Sequence, residues 1–109
     1  WHRGAFAEWR EVPLAPALIV EGVGAGQRQF DDLAVLRIWV EADEVLRHER
    51  TVEREGPDAG VALREWWPRE ERHFAEQGTR ASADLIVDST PRGDVDREES
   101  MVVVEDRRR

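Results

Sequence analysis

The chain is 109 residues long, with 16 basic and 24 acidic side chains, a formal net charge of -8 and no cysteine. That length suffices for one small domain, and the missing cysteines exclude disulfides and thiolate metal sites. The negative charge argues against non-specific nucleic-acid binding, which depends on neutralising phosphates. No apolar run approaches the roughly 20 residues that span a bilayer, so we expect a soluble, cytoplasmic protein with no membrane partner.

The first residue is Trp1 and the only methionine is Met101, which leads us to expect an incomplete or processed chain. Residues 4–12 have the composition of a short helix carrying Phe6 and Trp9, ended by Pro13 and Pro16. Residues 17–21, Ala-Leu-Ile-Val-Glu, then read as a strand buried on both faces, as in a parallel α/β sheet. Three glycines, Gly22, Gly24 and Gly26, follow that strand. Residues 29–33 suggest a helical turn, and residues 34–40 a second strand interrupted by Arg37. Asp43 is placed to N-cap a helix bearing Val45, Leu46 and Val52. Gly56-Pro57-Asp58 breaks it. A longer helix over residues 59–77 carries Leu63, Trp66, Trp67, Glu70 and Phe74 at helical spacing and stops at Gly78. Residues 83–88 form a third strand. Residues 92–100 read as a charged loop, residues 101–104 as an edge strand and Arg107 to Arg109 as a solvated end. Strands alternating with helices predict an α/β fold with a mainly parallel sheet flanked by helices.

The candidate chemistry is sparse. Glu21 stands at the carboxyl end of its strand, where ligands bind in open α/β sheets, and a carboxylate there can orient water on Mg²⁺ or take a proton. It equally marks a strand meeting solvent. Arg50 and Arg54 are four apart and share a helix face with Arg47 nearby. Guanidinium groups in that arrangement match a phosphate, or they face the interleaved Glu49, Glu53 and Glu55. The glycine loop fails the dinucleotide pattern because Gln27 occupies its sixth position. The chain contains neither GxxxxGK(S/T) nor any lysine. His2, His48 and His73 are too dispersed to hold a metal, no GxSxG elbow occurs, and Trp66 and Trp67 suit packing.

Four stretches in order resemble the C-terminal half of uridine-kinase-like P-loop kinases. These are Trp1-His2-Arg3-Gly4-Ala5 with Glu8-Trp9; residues 18–26, similar to a Walker B strand ending in Glu-Gly; residues 36–42 with Arg50-Thr51-Val52-Glu53-Arg54-Glu55, similar to a strand and arginine-bearing lid helix; and residues 83–88, similar to the last strand. The resemblance spans about residues 1–90, leaving residues 91–109 as charged loop, edge strand and tail. It implies a partial P-loop NTPase fold whose central strand, phosphate loop and lysine are missing, and hence marginal stability for the chain alone.

It further implies that the parent protein transfers the γ-phosphoryl group of ATP to a nucleoside or similar small hydroxyl compound. Glu21 would hold the Mg²⁺ shell through water or act on the acceptor, Glu21 and Gly22 would contact the nucleotide, and Arg50 and Arg54 would close over the transferred group. Glu55 departs from the family, which often has aspartate there. The alternative is a non-catalytic remnant or regulatory module that keeps part of the fold. Neither the acceptor nor the oligomeric state follows from these residues.

Overall fold

The computed structural model describes residues 8–91, 93 and 101–108. Its elements run β1 (Ile38–Glu41), α1 (Glu44–Glu55), α2 (Gly60–Gln77), β2 (Leu85–Asp88) and β3 (Val102–Asp106), with short 3-10 turns at Arg28–Phe30 and Pro57–Ala59. The three strands form one sheet in the order β1-β2-β3. β1 and β2 are parallel, pairing Ile38 with Leu85 and Glu41 with Asp88. The two helices supply the long connection that a parallel pair requires. β3 returns antiparallel, with a bulge opposite the Ile86–Val87 step.

Both helices start and stop for local reasons. Asp43 caps α1, its Oδ1 accepting from the N–H groups of Val45 at 3.0 Å and Leu46 at 3.3 Å. Such a cap satisfies two of the donors that a helix start leaves unpaired. α2 ends where Gly78 takes φ 64° and ψ 29°, a left-handed conformation that costs glycine nothing, and its N–H reaches back to the carbonyls of Phe74 and Ala75. Positions 60, 63, 66, 67, 70, 73, 74 and 77 of α2 are its protected ones, the stripe expected of a helix with one inward face. Pro68 lies mid-helix, where it deletes the bond that its N–H would have given to Arg64.

The core is small. Among the described residues Leu63, Ala83, Ile86 and Val87 are the buried hydrophobics, with Ile86 at 0% exposure. Consecutive residues of β2 point to opposite faces, so Ile86 and Val87 together show that the middle strand is covered on both sides. Trp39 of β1 meets Phe74 of α2 edge to face at 4.8 Å. His48 of α1 stacks on Trp67 of α2 at 3.7 Å and 15°, tying the two helices together.

The architecture corrects the expectation of a mainly parallel, partial P-loop sheet. The sheet is mixed, with one parallel and one antiparallel pairing, and residues 17–21 are not a strand. A strand persists by pairing its peptide groups with a neighbour. Residues 14–21 make no backbone hydrogen bond to any described residue. Their apolar side chains consequently stay in solvent, Ile19 at 92% exposure. The second strand is also shorter than its apolar run, starting at Ile38 rather than at residue 34. The expected helix over residues 4–12 falls partly outside the described residues, and its remainder, residues 8–12, is irregular. The expected loop at residues 92–100 lies, apart from Gly93, outside the described residues. Among the described residues no helix is long and apolar enough to cross a membrane.

Candidate functional site

The carboxyl ends of β1 and β2 lie side by side because the strands are parallel, and the sequence there turns polar on both: Glu41-Ala42-Asp43 after β1 and Asp88-Ser89-Thr90 after β2. A short web holds the two ends together. The Ser89 N–H donates to the Glu41 carbonyl at 2.8 Å. The Asp43 N–H donates to Thr90 Oγ1 at 3.1 Å, and Asp88 Oδ1 accepts from the Thr90 N–H at 2.8 Å. This Asx-type turn fixes the chain as it leaves the sheet.

Arg50 joins that web from the second turn of α1. Its guanidinium donates to the Ser89 carbonyl at 3.3 Å and to Ser89 Oγ at 3.5 Å. Arg54, one turn further on, is in the last turn of α1. Its side chain is 73% exposed and pairs with the adjacent Glu55 at 2.9 Å. Arg47 pairs instead with Glu70 and Glu71 of α2, each at 3.9 Å. The structure thus fixes Arg50 at the strand ends and leaves most of Arg54 in solvent on the same helix.

Glu21 and Gly22 stand elsewhere. Glu21 is exposed, and no hydrogen bond or ion pair among the described residues joins it to Arg50 or Arg54. Gly22 opens a turn at φ 128°, its carbonyl accepting from the Ala25 N–H at 3.1 Å. The glycine loop docks on the end of α2: a Cβ on Gly26 would come within 2.5 Å of Thr79 Cγ2. The next residue, Arg28, donates from Nε to the Gln77 carbonyl at 2.9 Å and from its N–H to Gln77 Oε1 at 3.1 Å. Close packing against Thr79 is therefore what requires glycine at position 26.

Sequence reading missed one charged centre. Arg80 spans the Glu41 carboxylate with bonds of 2.8 and 3.2 Å, and Trp39 Nε1 adds a third at 3.0 Å. The Arg80 hydrogen bonds hold the Glu41 carboxyl below its ordinary value, against the opposing pulls of burial and of Asp88. The only hint in the sequence is the alternation that puts Trp39 and Glu41 on one face of β1.

For Mg²⁺, Glu21 offers one exposed carboxylate. Among the described residues no three acidic or histidine side chains converge on a point that could hold a metal ion. These residues do not build a metal cage. Arg54 presents guanidinium donors beyond its bond to Glu55. Comparison of the chain with protein-family models, with curated proteins and with solved structures finds no match.

Proposed function

We propose that the chain is part of an ATP-dependent kinase that passes the γ-phosphoryl group to a nucleoside or similar small hydroxyl compound, with Arg50 and Arg54 as its phosphate-facing groups. The reading rests on the sequence resemblance, of which residues 1–5 lie outside the described residues and the strand expected at residues 17–21 is irregular. It is supported by one observation: Arg50 is fixed by Ser89 at the carboxyl ends of a parallel strand pair while Arg54, on the same helix face, remains largely exposed. Charge spreads over the equatorial oxygens as a phosphoryl group transfers, and preorganised guanidinium donors stabilise that charge. The chain has no lysine and no phosphate-cradling loop, so these arginines would be a contribution to a catalytic centre and not the whole of it.

The test is transfer of labelled phosphate from ATP to a panel of nucleosides by the polypeptide as the cell makes it, alongside Arg50→Ala and Arg54→Ala. Loss of one preorganised donor is expected to lower kcat by about 100-fold or more, with circular dichroism unchanged. Turnover unaffected in the double variant would overturn the assignment.

A second reading, a non-catalytic module, draws on the same bonds. Arg50 to Ser89 is also a plain structural tie between α1 and the loop after β2. On that reading Arg50→Ala lowers Tm, and no phosphoryl transfer is found in any variant.

A further inference from the structure

The two edges of the sheet are treated differently. The outer edge, β3, is bulged against β2 and ends in Glu105 and Asp106, which are locked in ion pairs with Arg107 and Arg108 at 2.6 Å each. Bulges and charges are the usual means of blunting a strand edge against association. β1 has neither. Its carbonyls at Arg37 and Glu41 accept from the β2 side, from the Asp84, Leu85 and Ser89 N–H groups at 2.9, 3.1 and 2.8 Å. By the alternation of a β ladder the peptide groups of Ile38 and Val40 point outward. Their side chains are 52% and 61% exposed. Beside this edge lies an open hollow of about 400 Å³ lined by Leu18, Val20, Phe30, Leu33 and Leu36.

We propose that this edge binds a second copy of the chain, β1 pairing antiparallel with β1 about a two-fold axis through Trp39. The sequence Arg37-Ile38-Trp39-Val40-Glu41 is complementary to its own reverse. With Trp39 opposite Trp39, Ile38 falls opposite Val40 of the second copy, and the two exchange both N–H to carbonyl bonds. Those are the peptide groups that β2 leaves unused. On the other face Arg37 falls opposite Glu41 of the second copy, twice by symmetry. Opposite charges directly across a ladder are favourable, and like charges there oppose pairing. Arg37 has donors to spare, since one terminal nitrogen serves both its bond to the Asp31 carbonyl and its ion pair with the Asp31 carboxylate. Glu41 is held by Arg80 and Trp39, yet its Oε1 takes a single bond and has a lone pair left for a second donor. A two-fold contact of this kind is self-limiting, because the joined edges are no longer available. The apolar lining of the hollow adds contact beyond the four-residue strand, which a stable dimer needs. The inference is independent of the proposed kinase role.

The experiment is a charge swap read by sedimentation equilibrium. The wild-type chain is expected at twice its monomer mass. Arg37→Glu sets glutamate against Glu41, and Glu41→Arg sets arginine against Arg37, so each variant alone is expected to be monomeric. Mixed in equal amounts they restore both opposite-charge pairs, and the doubled mass returns. Val40→Pro, which removes an edge N–H without touching a charge, is expected to be monomeric too. Should a charge variant fail to fold, hydrogen exchange on the wild-type chain decides: the Ile38 and Val40 amides are expected to slow as concentration rises, while the β3 amides do not. A wild-type chain that stays monomeric, dimerisation that survives Val40→Pro, or protection that grows elsewhere than β1 would overturn the proposal.

Discussion

Individual residues of this chain act mainly through local geometry. Gly26 carries no left-handed backbone requirement; its constraint is Thr79, whose Cγ2 lies 2.5 Å from where a Cβ would be. Gly26→Ala must either turn the Thr79 side chain out of its place or push the loop off the end of α2, straining the Arg28 to Gln77 bonds. We expect a loss of about 1–3 kcal/mol, the usual cost of overpacking, read from urea unfolding; an unchanged midpoint would mean that Thr79 or the loop yields freely. Glu41 offers a test of electrostatics. Because Arg80 holds its folded-state carboxyl below the ordinary value of 4.5, the pair stabilises the fold above that value, and the stabilisation fades as pH falls through the lowered one. Arg80→Ala is expected to move the Glu41 titration upward in a carbon-detected NMR experiment and to flatten the acid limb of the stability curve. Glu41 is not deeply buried, so solvent screening limits the size of the effect.

At the scale of elements, α1 is the piece on which both the proposed site and the helix pair depend. Asp43→Ala removes the acceptor for the Val45 and Leu46 N–H groups and is expected to cost about 1 kcal/mol. Fraying should start at the first turn and reach Arg50 one and a half turns on, so the Leu46 amide should lose hydrogen-exchange protection before Val52 does. The cap, the Gly78 stop and the stripe along α2 were legible in the sequence, because each is decided by neighbours within a turn or two; the strand expected over residues 83–88 forms as Leu85–Asp88 because β1 and β3 lie on either side of it. Residues 17–21 were not. Their composition suits a strand buried on both faces, but a strand exists only with a partner, and nothing within the run says whether one is adjacent. The same holds for the site. The Arg50–Arg54 spacing is local and readable, whereas the separation of both from Glu21 and the capture of Glu41 by Arg80 depend on contacts 29 to 39 positions apart.

For the whole molecule, the deciding quantity is how little apolar surface the fold removes from water. The accessible surface is 9701 Å² for a 12.6 kDa chain, whereas a compact monomer of that mass exposes about 6,200 Å². Leu14, Leu18, Ile19, Val35 and Val40 all remain exposed, and among the described residues four buried hydrophobics make a slight core for two helices and three strands. Burial is the main favourable term in folding and scales with the area removed from water. A chain that buries little has little to set against its conformational entropy. The denaturant slope follows the area exposed on unfolding, so the urea transition is expected to be broad, with a slope below about 1 kcal/mol/M, and the native chain to bind a hydrophobic dye such as ANS. If β1 joins two copies, assembly stabilises only the folded form, and the midpoint must climb with protein concentration. Arg37→Glu should abolish that climb and leave the broad transition in place, which separates the weakness of the single chain from the gain on pairing. A steep transition that is independent of concentration, without dye binding, would show that the exposed run at residues 14–21 is covered in solution.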